Sequence, residues 1–268
     1  MCYSALVEKD LDYLEKHFGA IAVRESFDWY TKSSLANPKK FHPITGRVYP
    51  GSYAPVMYHD TNGELLIKPM RYGAYPPPSI KNAAKYTTFN ARRDNLTSDF
   101  WSGAFMKHHG YVVLEAFFEW VAVKDLLKAG VVKLPDVEKE FAKQAKEREA
   151  KIKAAGKKYK PTPTELKPAR DRQIIIQFTP ANAQKLLAPV IFSTKKLDDG
   201  YLDAGFALIT DEPNPEVRAA GHDRSPIILE SSAINDWLHF QGKTAKQMDQ
   251  LLADKQMITF GHMLPLAA

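Results

Sequence analysis

The sequence has a single cysteine among 268 residues. That excludes an intrachain disulfide and fits a reducing compartment. No run of about 18 apolar residues occurs, so no membrane-spanning helix is expected. The start, MCYSALVEKD, has no basic segment followed by an apolar one and does not read as a secretory signal. A cytoplasmic protein is expected. There is no P-loop, no glycine-rich dinucleotide fingerprint, no CxxC pair and no internal repeat. The eight histidines lack zinc-type spacing, and His108 and His109 are adjacent, which suits a loop better than one metal site. No metal and no cofactor are expected.

Charge is present but unevenly placed. The net charge is +6. Between Lys124 and Arg172 stand 15 Lys/Arg against 8 Asp/Glu, a local +7, which leaves −1 for the rest. The body is therefore not a generally basic nucleic-acid coat, and any nucleic-acid site there must rest on a few placed arginines.

The lone cysteine stands directly behind Met1. Removal of Met1 by methionine aminopeptidase would leave Cys2 with a free α-amine beside a free thiol. The amine can condense with an aldehyde, and the thiol can close a five-membered thiazolidine ring. Both groups have reference pKa values near 8. A terminal thiol can also attack a carbonyl. The plain alternative is a small residue near a frayed terminus.

In chain order, residues 2–7 read as a strand and 10–18 as a helix capped by Asp10 and stopped by Gly19. A Pro/Gly-rich loop spans 37–50. Strand candidates at 53–58 and 64–70 are joined by a turn at Asn62-Gly63. RYGAYPPPS, from Arg71, cannot be regular structure because three prolines remove donors. A strand over 86–90 ends in Asn90-Ala91-Arg92-Arg93, and 100–107 reads as a helix. GYVVLEAFFEW (110–120) is a core strand. Residues 136–153 form a solvated helix with a narrow apolar stripe. KKYKPTPTELK (157–167) reads as a linker. Strands follow at 173–178, 190–193 and 205–210, then a helix capped by Ser231/Ser232, a helix over 244–252 and a final strand over 258–266. The fold class is α+β, rich in β.

Three further features could carry chemistry. Glu119 lies between Phe118 and Trp120. If its strand is buried, desolvation raises its pKa toward general acid/base use; simple alternation would instead turn Glu119 to water and both aromatics to the core. His222, in His-Asp-Arg before a strand, suits a proton carrier or a surface loop. Asn90-Ala91-Arg92-Arg93 could orient a substrate with its amide and seat a phosphate with its arginines, though such tetrapeptides are common.

Taken together and in this order, Met1-Cys2, Asn90-Ala91-Arg92, the acid in Phe117-Phe118-Glu119-Trp120, and His222-Asp223-Arg224-Ser225-Pro226 resemble the SOS response-associated peptidase (SRAP) family of abasic-site processing proteins. Tyr49-Pro50-Gly51 resembles a turn of that family. The likeness covers about residues 1–120 and 173–240. It implies a single SRAP-like domain over 1–268, a β-rich α+β fold, and a positive groove for single-stranded DNA. It further implies covalent capture of abasic sites by Cys2 through a thiazolidine. Catalytic roles pass by motif to Cys2, Asn90, Glu119 and His222, and DNA contacts to Arg92, Arg93, Pro50, Tyr75 and Trp120. The expected partner is single-stranded DNA containing abasic sites, with no membrane, a monomeric protein, and nucleoid association when bound.

The chain departs from the family pattern at Ser4, where an arginine is usual, at Glu115-Ala116, and after His262. Residues 121–172 look like a Lys/Glu-rich insertion in place of a short hairpin. Two other functions stay open at this point. One is a thiol peptidase or autopeptidase using Cys2, and the other is a non-covalent single-stranded DNA-binding module.

Overall fold

Near-continuous apolar runs build central strands that are buried on both faces. The computed structural model describes residues 3–81 and 86–263. Its strands are β1 (Ser4–Val7), β2 (Ile21–Ala22), β3 (Arg47–Val48), β4 (Tyr53–His59), β5 (Leu65–Tyr72), β6 (Asn90–Arg92), β7 (His109–Ala122), β8 (Gln173–Pro180), β9 (Leu186–Lys196), β10 (Leu202–Asp211), β11 (Ser225–Pro226) and β12 (Phe260–Met263). The helices are α1 (Leu11–Phe18), α2 (Arg24–Ala36), α3 (Ser102–Phe105), α4 (Val123–Lys128), α5 (Leu134–Ala154), α6 (Pro215–Ala219), α7 (Ser231–Leu238) and α8 (Ala245–Ala253). The class is α+β and β-rich.

Strand β7 is the spine, pairing with β1, β4, β8 and β9. From β4 the ladder runs to β5, in parallel from β5 to β10, then through β9 back to β7. These five strands close on themselves, which leaves no open edge in the ring. Side chains alternate between two cores. Val112 and Leu114 join one, with Phe206, Leu208 and Val190. Tyr111 and Val113 join the other, with Ile191, Ala207 and Trp237. The first core also takes Val137 and Phe141 of α5, and the second takes Leu14 of α1 and Leu252 of α8.

Local signals worked where they rest on one side chain. Asp10 Oδ1 accepts from the amides of Asp12 and Tyr13, and Gly19 closes α1 at φ 65°. Asp60 Oδ1 accepts from the amides of Asn62 and Glu64 in the turn joining β4 to β5.

Several boundaries need correction. The strand expected over 86–90 instead begins at Asn90, because β6 forms only where it meets β10. Glu230, not Ser231 or Ser232, holds the N-cap position of α7, with no side-chain cap bond. The final strand is Phe260–Met263, set by its pairing with β8 from Pro180 to Gln177; residues 264–266 of the expectation lie outside the described residues. Residues 157–167 are no loose linker, since Glu165 folds them back on α5. Helix α2 escapes prediction because its buried positions are Ser26, Tyr30 and Ser34. They have helical spacing, but two of the three are serines, so the apolar period is silent.

Candidate active site

Strand β7 carries Glu119 inward. Glu119 is 0% exposed while Trp120 is 42% exposed and Phe118 is buried, so the solvent-facing reading of Glu119 does not hold. Antiparallel pairing sets Ser4 opposite Phe118, and the Tyr3 amide donates to the Phe118 carbonyl at 3.1 Å. Burial raises the Glu119 carboxyl well above the usual carboxylate range.

His222 meets this carboxyl, with its Nε2 3.2 Å from Glu119 Oε2. Its Nδ1 lies 2.9 Å from the Arg224 carbonyl. The Arg224 amide lies 3.3 Å from the same nitrogen, so Nδ1 faces both an acceptor and a donor of one residue, and Nε2 is the ring nitrogen that meets Glu119. Burial holds the imidazole below its ordinary pKa. Both shifts favour the neutral forms, so a proton sits between Oε2 and Nε2 rather than as a separated ion pair.

The loop bearing His222 follows α6 and turns at Gly221, φ +87°. An added Cβ there would stand 2.8 Å from the Asp125 Cβ of α4. Gly221→Ala is therefore expected to cost about 1 kcal/mol or more and to displace His222. Thermal melting checks the first effect, and the rate of the site's chemistry checks the second; an alanine variant with wild-type melting and rate would refute both.

Asn90 and Arg92 lie on β6, which pairs in parallel with β10. Thr210 of β10 pairs with Arg92 of β6 and with Pro226 of β11. The Arg92 strand and the His-Asp-Arg loop thus flank one strand. Asp94 bridges them: it takes Arg92 Nη2 at 2.6 Å and lies 3.5 Å from Arg224 Nη2. Asn90 is buried, and Tyr72 Oη–H donates to its Oδ1 at 3.2 Å. Tyr72 also holds the Pro50 turn, accepting from the Gly51 amide and donating its own amide to the Ser52 carbonyl, both at 2.7 Å. One tyrosine therefore connects Asn90 to Pro50.

Around this site the surface is aromatic and basic. Tyr49, Pro50 and Trp120 are exposed, and Tyr3 packs edge-on between the rings of Tyr49 and Trp120. Arg47 lies 3.8 Å over the Phe118 ring and places Nη2 3.4 Å from Ser4 Oγ. An arginine from β3 thus stands beside Ser4, where an arginine at position 4 was expected to be missed. Neither Arg47 nor Asp94 belongs to a motif, and the sequence offers no signal for either.

Two expected DNA contacts sit differently. Arg93 is tied to Asp211 and Asp249 at 3.2 and 3.0 Å, so its guanidinium is engaged within the fold. Tyr75 is partly buried against the fold. Its hydroxyl donates to buried Asp203 at 2.6 Å, as does that of Tyr53 at 2.7 Å. Tyr75 lines a cavity of about 420 Å³ with Lys39, Lys40, Arg71, Lys195 and Lys196. Cys2 lies outside the described residues. Among the described residues no cluster of three His, Cys, Asp or Glu could hold a metal, and no helix is long and apolar enough to cross a membrane.

Three solved structures resemble the fold. A protein from Bordetella bronchiseptica aligns at TM-score 0.60 and 16% identity, over 98% of this chain and 99% of its own. One from Bacteroides thetaiotaomicron aligns at 0.61 and 13%, over 97% and 90%. A phage-related protein from Bordetella bronchiseptica aligns at 0.55 and 12%, over 98% and 94%. No curated protein matches the sequence. At these identities the likeness speaks for the fold alone. The sequence profile of the family described as SOS response associated peptidase (SRAP) matches residues 1–262, and the chain belongs to that family.

Proposed function

We propose that this protein captures abasic sites in single-stranded DNA covalently through Cys2. The observation that carries the reading is the buried Glu119–His222 pair, which lies beside the Phe118 carbonyl that anchors Tyr3. Cys2 directly precedes Tyr3 in the chain, so the proposed aminothiol is covalently joined to a residue that is anchored beside this proton-transfer pair.

The chemistry balances without a cofactor. The ring-opened sugar presents an aldehyde. The Cys2 α-amine, freed by loss of Met1, adds to it and forms a carbinolamine. Loss of one water gives the imine, and Sγ–H adds across the C=N bond to close the thiazolidine. No electrons are gained or lost. Protonated Glu119 supplies a proton to the ring oxygen as the sugar opens and to the departing hydroxyl as water leaves. The pair recovers a proton at each step through neutral His222 Nε2, first from the anomeric hydroxyl as the ring opens and then from the amine nitrogen as the imine forms. Asn90, held by Tyr72, orients the reacting sugar.

An abasic site has no base to read, so recognition falls to the aldehyde and the strand. Exposed Tyr49, Pro50 and Trp120 offer faces on which neighbouring bases stack. Arg92, Arg47 and the lysines around Tyr75 face phosphates. Peptide-bond attack by the Cys2 thiol, which the family's name suggests, is the second reading. It would use the same acid to protonate a leaving amine.

Intact mass spectrometry tests the reading. Incubation with single-stranded DNA bearing one abasic site is expected to give a denaturation-resistant species with the combined mass less one water. Cys2→Ala should give none. Protein lacking Met1 that forms no adduct would overturn the proposal, and cleavage of a peptide placed before Cys2 would favour the second reading.

A further inference from the structure

The positive charge of this molecule is concentrated on α5 and the chain returning from it. From Lys139 to Arg170 eleven Lys/Arg stand against four Asp/Glu, a net +7 in a protein whose total is +6. The helix spends its apolar residues inward. Val137 and Phe141 are buried with the sheet, and the Arg172 guanidinium lies 3.5 Å over the Phe141 ring. Lys143, Lys146, Lys151, Lys157, Lys158 and Lys160 are exposed. None of these six has an ion-pair partner among the described residues, whereas Lys153 is paired with Glu149 at 2.7 Å.

The array is held in place. Glu165 accepts from the Thr162 amide at 2.5 Å, the Thr162 hydroxyl at 2.8 Å, the Tyr159 hydroxyl at 3.2 Å and Arg148 at 2.5 Å. Those Thr162 bonds pull its carboxyl down to about 2, so the clasp stays ionised at any ordinary pH. It folds Lys157, Lys158 and Lys160 back beside the helix instead of leaving them on a free tether.

The surface also lacks something. Single strands are bound through bases stacked on aromatic rings, and the exposed rings Tyr49 and Trp120 belong to the candidate active site. Within 139–170 the aromatics are Phe141, which is buried, and Tyr159, which is half-buried beneath the Arg148 guanidinium. A lysine surface without stacking platforms matches a partner that presents closely spaced charge and no unstacked bases. Duplex DNA is such a partner, with one charge per about 1.7 Å of axis. A helix of 21 residues spans about 31 Å, close to one turn of the duplex.

We propose that α5 and its return segment form an auxiliary, sequence-independent grip on duplex DNA. This grip is separate from the site at Glu119 and does not depend on capture chemistry.

The test uses the full chain and an undamaged duplex of about 20 base pairs, with binding followed by fluorescence anisotropy across salt concentrations. The variant carries Lys143→Gln, Lys146→Gln, Lys151→Gln, Lys157→Gln and Lys158→Gln, all at exposed positions, with folding verified by thermal melting. It is expected to bind at least about tenfold more weakly near 50 mM salt, with the slope of log K against log salt shallower by about 4. Adduct formation on a short single-stranded abasic oligonucleotide should be unchanged. Equal affinity and slope in the two proteins would overturn the proposal. So would a wild type that ignores duplex yet binds a polyglutamate peptide through these lysines, which would assign the surface to an acidic protein. If neither protein forms adducts, the capture reading falls, while the duplex measurement still decides this one.

Discussion

Glu119→Gln is expected to slow adduct formation by about 10²–10⁴-fold, the usual worth of a placed general acid or base, while leaving the protein folded. Glutamine keeps the volume of the side chain and can still meet His222, but it has no proton to release. The pH profile separates loss of chemistry from loss of structure. The wild-type rate should fall on the alkaline side as Glu119, raised well above the carboxylate range, gives up its proton. It should fall on the acid side as His222, held below the usual imidazole value, gains one. The two limbs belong to the coupled pair rather than to single residues. In Glu119→Gln the alkaline limb should vanish. An alkaline limb unchanged in the variant would remove Glu119 from the proton transfers.

Stability should move the other way. A carboxyl with a raised folded-state pKa binds its proton more tightly in the fold than in the unfolded chain. Its favourable contribution is complete below the unfolded value and is lost as pH rises through the folded one. Glutamine does not titrate, so the melting temperature of Glu119→Gln should gain on wild type as pH increases. Melting curves from acid to mildly alkaline pH read this directly, and a variant that loses ground to wild type as pH rises would contradict the burial argument.

Gly205→Ala is expected to be among the most destabilising single substitutions in the chain, at about 3 kcal/mol or more. An added Cβ would stand 2.3 Å from the Gly73 carbonyl oxygen and 3.2 Å from the Ala74 Cα. Both are backbone atoms, so no side-chain rotation relieves the clash. Gly73 is fixed in turn, donating its amide to the Phe206 carbonyl at 2.8 Å. The strand cannot retreat, because β9 pairs with it on one side from Lys196↔Leu202 to Val190↔Leu208. The parallel junction of β5 and β10, at Arg71↔Gly205 and Tyr72↔Phe206, would have to open. Chemical denaturation measures the loss. Because Tyr72 holds both Asn90 and the Pro50 turn, the residual folded protein should also react slowly. A variant as stable as wild type would mean the loop at Gly73 shifts freely.

What could be read beforehand divides by the range of the interaction. Strand β7, helix α1 and the turn at Asn62-Gly63 announce themselves through nearby residues, as do the caps at Asp10 and Thr244, the latter with a full capping box. The joining of β4, β5, β10, β9 and β7 into a ring has no local signature. Neither does the orientation of Glu119, since a strand buried on both faces has no apolar–polar alternation to follow. The meeting of Glu119 with His222 spans over a hundred residues, and motif order alone hinted at it. Arg47 and Asp94 gave no warning because surface arginines and aspartates are common. Arg93 and Tyr75 were legible as residue types but not as partners: acids far along the chain, Asp249 for one and Asp203 for the other, decide where they point.

The Arg224 backbone engages His222 Nδ1 through both its carbonyl and its amide, and this bears on how the site refreshes itself. With that nitrogen occupied, the imidazole has one working lane, and it leads to Glu119. A proton given up to substrate at one step and recovered at the next travels the same 3.2 Å path in both directions. Moving the shared proton from oxygen to nitrogen keeps the net charge of the pair at zero but turns two neutral groups into an ion pair, and giving it to substrate leaves the pair negative until it is recovered. The site can act as acid and then as base through this one contact.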